Sequence, residues 1–202
     1  AKLKLPVSIE NDVNLITLGE WKYGAGRGCQ DLICVTLGTG VGGGLVFDNK
    51  LYRGPAFVAG EIGHMPLKEH GAACPCGGKG CFERYAGNAY LVQRIRTIFK
   101  NPDMRTQDVF KLASQGNARA IKFWQEVGRT VGEGLSGVIN LLNPRMVVIG
   151  GGVSNNYKFF APELKRVIKE RCMKVQGKMV KIVRARFSHE AGILGAHVLV
   201  NE

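Results

Sequence analysis

The chain has 202 residues, 45% of them hydrophobic and 22% charged. That is ordinary globular composition, long enough for one good core. It contains no run of about 18 apolar residues of the kind a membrane span needs, and it is neither short nor loop-rich enough for a disulfide-stapled secreted domain.

Lys2–Glu10, "KLKLPVSIE", alternates and reads as a strand. Asp12 then caps a helix, "VNLITLGEWKYG", that closes at Gly24. "DLICVTLG" is a buried strand, and "GGLVFDNKLYRG" reads as two strands joined at Asp48-Asn49-Lys50. A Gly/Cys-rich segment follows. The pattern is helical from Asn88 to Asn140, interrupted near "NPDMRTQD" and "SQGNA", with i, i+3, i+4 apolar spacing in Thr106–Ser114 and Ala118–Leu142. Pro144 marks the break. "RMVVIGGG" is a short apolar strand ending in glycines, "NNYKFFAPELKRVIKERCMKV" a helix, "KIVRARF" a strand and "HEAGILGAHVLVNE" a closing helix. Strands and helices alternate around one antiparallel hairpin, so the expected fold is an α/β domain with a mixed sheet.

The net charge is +12. A polyanion partner is one reading of that. The Lys/Arg excess is densest between Lys158 and Arg186, where it is spread over a helix and a strand without interleaved aromatics or a recognition motif. That pattern reads as solvated surface, with nucleic acid the minority reading. There is no secretory signal and no initiator Met, and the opening in strand-like sequence suggests a fragment or a processed product.

Three stretches carry chemistry. In "LGTGVGGGLVF", Gly38, Gly40 and Gly43 fit a dinucleotide pattern in letters only, because that fingerprint opens a helix and here a strand enters and a strand leaves. A glycine turn between strands still presents backbone N–H groups, with the Thr39 hydroxyl at its tip, to a phosphate. The alternative is an ordinary glycine-rich hairpin.

In "VSIENDVN", Asp12 is either a helix cap or a base. A carboxylate beside an amide, here Asn11, can take a proton from a sugar hydroxyl while the amide orients the ring.

The third stretch runs from Glu61 to Arg84. Three of the six cysteines crowd into it, while Cys29, Cys34 and Cys172 are scattered in core-like settings. Nine residues separate His64 from Cys74, one separates Cys74 from Cys76 and four separate Cys76 from Cys81. Three thiolates and one imidazole fill a tetrahedral zinc shell with no position left for water, which makes the metal structural. Gly77, Gly78 and Gly80 let the backbone turn tightly between the thiolates. His64 is preferred as the fourth ligand because it follows the strand-like "GEIG", but His70 competes on spacing. Glu61 and Glu83 bracket the loop. They are either solvated charges or acceptors for the hydroxyls of a sugar ring. His64 could bind metal through one nitrogen and a sugar hydroxyl through the other. A reducing cytoplasm suits such a site.

In this order, "ENDVN", "LGTGVGGG", "AGEIGH", "CPCGGKGCFE", "NLLNPRMVVIGGGV" and "AGILGA" resemble the ROK family of bacterial sugar kinases, including glucokinases, and sugar-responsive repressors. The resemblance covers nearly the whole chain and is most specific in the cysteine segment. It implies an actin-like ATPase (ribonuclease H-like) fold with a structural zinc, and phosphorylation of a hexose at its 6-hydroxyl by ATP with Mg. Residues 1–202 would be the larger, C-terminal ATPase-like domain, with residues 1–12 at its hinge and 189–202 its closing helix. The resemblance implies Asp12 as base, Asn11, Glu61, His64 and Glu83 as sugar ligands, Gly38, Thr39 and Gly40 at phosphate, and Gly150, Gly151 and Gly152 near adenosine. It also suggests a homodimer. Family kinases carry an N-terminal Asp-x-Gly-x-Thr phosphate loop that does not occur here, so the first third of a full kinase is expected to be missing and the isolated chain to turn over weakly. Glucose is the default sugar; N-acetylmannosamine, N-acetylglucosamine, fructose and allose stay open. The competing function is the effector domain of a repressor, which needs the sugar contacts but not the base.

Overall fold

The computed structural model describes residues 7–188 and 190–201. Most of the strand expected over Lys2–Glu10 lies outside the described residues, and residues 7–10 have no regular structure. Ordered structure opens with α1 (Asp12–Lys22). Its cap is Asn11, not Asp12: the Asn11 side chain accepts from the backbone N–H groups of Val13 and Asn14 at 2.9 and 3.1 Å. The helix ends at Lys22, two residues before Gly24.

β1 (Leu32–Leu37), β2 (Val41–Phe47) and β3 (Lys50–Tyr52) form an antiparallel meander. Asp48 and Asn49, with φ of 49° and 59°, make the β2–β3 turn, as residues that tolerate the left-handed region do in tight hairpins. Four helices follow: α2 (Glu83–Ala86), α3 (Asn88–Phe99), α4 (Thr106–Ser114) and α5 (Ala118–Leu142). β4 (Met146–Gly150) then enters parallel to β1. A 3₁₀ turn, Gly152–Asn156, leads into α6 (Tyr157–Arg171). The single helix expected to Val175 breaks at Cys172 and Met173, and resumes as α7 (Lys174–Met179). β5 (Lys181–Arg184) lies parallel to β4, and α8 (Glu190–Asn201) ends the described chain.

The five-stranded sheet has the order β3-β2-β1-β4-β5, so the expectation of a mixed sheet holds. Its two faces follow from alternation along the strands. Ile33, Val35, Leu37, Val147 and Ile149 point into a large core with residues of α3 to α6. Cys34 and Val148 point the other way, into a smaller core with Leu18 and Trp21 of α1 and Val198 of α8. Helices thus cover both faces.

Glycine in a strand interior weakens it unless another backbone must come close. In β2 that is the reason for glycine. A Cβ on Gly42 would sit 2.6 Å from Val13 Cγ2, and one on Gly44 would sit 2.0 Å from Thr17 Oγ1. The bare stretch lets α1 lie directly on the sheet, with its N-terminus beside the β1–β2 turn. No helix among the described residues is long and apolar enough to cross a membrane.

Candidate functional site

The ends of β1 and α1, the segment after β3 and the start of α2 enclose an open cleft of about 430 Å³. It collects Asn11, Asp12, Gly38, Thr39, Gly40, Glu61, His64 and Glu83 from four separate parts of the chain. It lies where ligands bind in open α/β sheets, outside the carboxyl ends of the strands.

Gly38, Thr39 and Gly40 form the tight β1–β2 turn, closed by Gly38 N–H donating to the Gly40 carbonyl at 2.9 Å. The turn is held from behind: Asn88 N–H donates to the Gly38 carbonyl at 2.8 Å, and Val41 N–H to Glu83 Oε2 at 3.1 Å. A Cβ on Gly40 would lie 1.9 Å from Glu83 Oε2. The first carboxylate of α2 therefore sits against the glycine turn, and only glycine leaves room for it.

At the other wall, Asp12 is the first residue of α1 and is exposed, its Oδ1 accepting from Val13 N–H at 2.9 Å. Glu10 behind it is nearly buried, its side chain 7% exposed, and bonds Arg53 Nε at 2.6 Å. It also accepts from Asn11 N–H at 3.0 Å and Asn14 Nδ2 at 2.8 Å. Burial opposes ionisation of Glu10, but hydrogen bonds from Asn14 and Arg53, then Asn11 N–H, outweigh it and hold the carboxyl below its usual range. Because a carboxylate only accepts, the Asn14 amide must turn its nitrogen to Glu10. Its Oδ1 is left buried without a partner among the described residues.

Arg53 opens the cleft's rim, which its carbonyl closes by accepting from Ala59 N–H at 3.0 Å. The rim carries Phe57 and Val58, 72% and 65% exposed. Phe57 has φ 59°, a left-handed conformation that costs an L-residue roughly 1–2 kcal/mol.

Glu61 follows the rim, and Ile62–His64 is a 3₁₀ turn rather than the strand-like stretch expected. The turn separates the two nitrogens of His64. Nε2 faces Glu61 Oε2 at 3.8 Å, and Nδ1 lies 3.7 Å from Cys74 Sγ. Cys76 Sγ and Cys81 Sγ are also 3.7 Å apart, and the four ligand atoms all lie within 4.8 Å of one another. Neighbouring sulfurs of a tetrahedral shell with Zn–S of about 2.3 Å are about 3.8 Å apart, so the donor set fits zinc in number, type and spacing. The competing His70 is turned away, its side chain 92% exposed. Gly77 and Gly80 have φ of 92° and 71°, which accounts for two of the three glycines in the loop. The thiols sit in unequal surroundings. Burial, then hydrogen bonding with Cys76 and Cys74, pushes Cys81 up to about 12, whereas the Gly78 N–H, then Cys74 and Cys81, lower Cys76. All six cysteines are free.

The loop rests on α2. Tyr85 Oη accepts from Ala72 N–H at 2.9 Å, and Phe82 N–H donates to the Met65 carbonyl at 2.8 Å. Cys81, Phe82 and Glu83 are consecutive, so the His/Cys cluster and a cleft carboxylate share one stretch of backbone.

Gly151 and Gly152 line a second cleft of about 530 Å³ with Ser154, Arg184 and Arg186. Gly151 has φ 80°, and a Cβ there would lie 2.5 Å from the Leu37 carbonyl oxygen. The β4 turn thus backs onto the residue preceding the glycine turn. Gly150 ends β4 and lines neither cleft. Buried Glu20 of α1 holds the second cleft's far wall, accepting from the N–H groups of Arg186 and Phe187 at 3.0 and 2.7 Å.

Glu10, Asn14, Arg53 and Phe57 were not singled out from sequence. Arg53 reaches Glu10 across 43 positions, and no periodicity signals such a pair. Phe57 looks like any loop aromatic until its φ is known.

This arrangement has close relatives. The ROK family matches over residues 1–202. The chain is 32% identical to a glucokinase of Streptomyces coelicolor, covering 100% of this chain and 69% of that protein. It is 33% identical to a xylose repressor of Caldicellulosiruptor bescii, covering 98% of this chain and 53% of the repressor. Among solved structures, a ROK family glucokinase from Streptomyces griseus in complex with glucose and AMPPNP superposes with a TM-score of 0.86 at 31% identity, covering 98% of this chain and 69% of that one. A ROK family transcriptional regulator, a homologue of the E. coli MLC protein, superposes with a TM-score of 0.89 at 26% identity, over 98% of this chain and 52% of the regulator. Matched from end to end, and similar to kinases and regulators alike in sequence and fold, the chain belongs to the ROK family.

Proposed function

We propose that the cleft of about 430 Å³ is a hexose site and that the protein transfers the γ-phosphoryl group of ATP to the sugar 6-hydroxyl. The observation that supports this most is the exposed Asp12 carboxylate on the same cleft as Glu61, His64 and Glu83, with the glycine turn beside it. Asn11, Glu61, Glu83 and His64 Nε2 hold the ring through its hydroxyls, because carboxylates accept several hydrogen bonds each. As the 6-oxygen bonds to the γ-phosphorus, its proton passes to Asp12, the bond from the γ-phosphorus to the β–γ bridging oxygen breaks, and ADP leaves with that electron pair. The Gly38–Gly40 turn lies at the phosphates and presents the Thr39 and Gly40 N–H groups and the Thr39 hydroxyl, with Gly151 and Gly152 at the nucleoside end of the donor, which enters as its magnesium complex.

Zinc would be held by His64 Nδ1, Cys74, Cys76 and Cys81. It would supply no chemistry to the sugar and would keep the loop in shape. The similarity to a glucokinase solved with glucose and AMPPNP supports both substrate classes. Glucose is the proposed sugar, and a homodimer the proposed assembly.

Asp12→Ala in the full-length protein tests the base. Turnover is expected to fall by about two to four orders of magnitude while sugar binding, read by calorimetry, persists. Unchanged turnover removes Asp12 from that role. A second reading draws on the repressor and regulator similarities: the same cleft would bind sugar as an effector, with no transfer step. A wild-type full-length protein that binds hexose, lacks kinase activity with every sugar above, and releases DNA on sugar binding would establish that reading instead.

A further inference from the structure

Phe57, 72% exposed, is the one aromatic carbocycle on a cleft otherwise lined by carboxylates, amides, His64, glycine backbone and small aliphatic side chains such as Val13, Val58 and Ala59 among the described residues. Its φ of 59° belongs to a conformation that bulky residues avoid and glycine adopts freely. The segment is not loose. Phe57 N–H donates to the Gly54 carbonyl at 3.3 Å, and Ala59 N–H to the Arg53 carbonyl at 3.0 Å. Arg53 is ion-paired to Glu10, and a Cβ on Gly60 would lie 2.3 Å from the Gly43 carbonyl oxygen. A strained aromatic exposed on an anchored segment is the kind of outlier that marks a ligand contact.

We propose that Phe57 is a specificity-determining residue whose ring lies against the C–H face of the bound pyranose, with Arg53 and Glu10 as positioning residues that hold it there. The inference rests on the hexose reading of the cleft, and it deepens that reading by naming the sugar class: pyranoses whose face toward Phe57 carries no axial hydroxyl. Carboxylates and His64 recognise hydroxyls at the edge of the ring, but they do not contact its C–H face or sense a polar group standing on it. An aromatic wall does, because an axial hydroxyl pressed against it loses its hydrogen bonds to water. Away from its anomeric carbon, glucose presents only equatorial hydroxyls. Galactose and allose each carry one axial hydroxyl, on opposite faces of the ring, so whichever face meets Phe57, one of the two is disfavoured.

The test is calorimetric titration of the full-length, zinc-loaded protein with glucose, galactose and allose, as wild type, Phe57→Gly and Phe57→Tyr. Glycine accepts the local conformation, so Phe57→Gly is expected to fold with an unchanged or raised melting temperature. Its glucose affinity should fall about 10-fold, and the preference for glucose over one epimer should shrink by a similar factor. Phe57→Tyr keeps the ring and should restore both. Unaltered glucose affinity and unaltered ratios in Phe57→Gly overturn the inference and leave the hexose reading standing. A wild type that binds none of these sugars overturns the hexose reading, and the inference with it.

Discussion

Arg53 Nε donates to Glu10 Oε2 at 2.6 Å, joining the rim of the cleft to the residue that precedes Asn11 and Asp12. The opposing walls of the site are therefore tied by one ion pair whose carboxylate is almost out of water. Water competes poorly there, and the same carboxylate also orders Asn11 N–H and the Asn14 amide. A charge held this way is expensive to leave unpaired.

Arg53→Met should lower stability by about 1.5–3 kcal/mol, the scale of a hydrogen bond to a charged group. The effect should depend on pH. The folded-state value of Glu10 is depressed, so its contribution is present above the ordinary carboxylate range, about 4.3, and is lost as pH falls through the lower folded value. Melting curves of wild type and Arg53→Met should differ fully at pH 7, still differ at pH 5, and converge as pH falls through the depressed folded-state value of Glu10. A gap that stays constant to pH 3 would show that the pair is not its source.

Elemental analysis should find one zinc per chain, and Cys76→Ser should lose it. Loss of the closed shell frees the stretch that carries Glu83. Chelation is expected to lower the melting temperature by about 5–10 °C, a few kcal/mol at this chain length, and to weaken hexose binding. A verified zinc-free sample that binds hexose as before would refute the bracing role.

Gly40→Ala would place a methyl where Glu83 Oε2 now sits. The carboxylate must leave Val41 N–H and swing into the cleft. Sugar affinity should fall about 10–100-fold, the equivalent of one charged hydrogen bond, while circular dichroism stays native. Equal affinity in the variant would mean that Glu83 does not contact the sugar.

Two glycines of α8 should respond in opposite directions to alanine. A Cβ on Gly195 would lie 1.7 Å from the Leu15 carbonyl oxygen, and one on Gly192 meets, among the described residues outside its own helix turn, nothing nearer than Ile16 Cγ1 at 4.0 Å. Gly195→Ala must push α8 off α1 and should cost about 1–3 kcal/mol, whereas Gly192→Ala should gain about 0.5–1 kcal/mol of helix propensity. Urea unfolding of the two variants checks the pair. Similar signs would mean that the helices do not meet as closely as this.

Much was legible in the amino-acid sequence. The apolar runs of β1 and β4, the Asp48-Asn49 turn and the amphipathic period of α5 each state their own local geometry. The His64, Cys74, Cys76, Cys81 cluster was readable because metal chemistry restricts which residue types and spacings can close a shell. Local steric detail was not. Whether Asn11 or Asp12 caps α1, and where α6 breaks before α7, turn on backbone angles that either sequence reading allowed. The choice of His64 over His70 needed the 3₁₀ turn that aims one ring nitrogen at the thiols. The Glu10–Arg53 pair, the Glu83 seat against Gly40 and the Glu20 hold on Arg186 and Phe187 join residues far apart in the chain. Such contacts exist only once the sheet has brought its loops together, because a charge or a missing Cβ carries no label for the distant group it will meet.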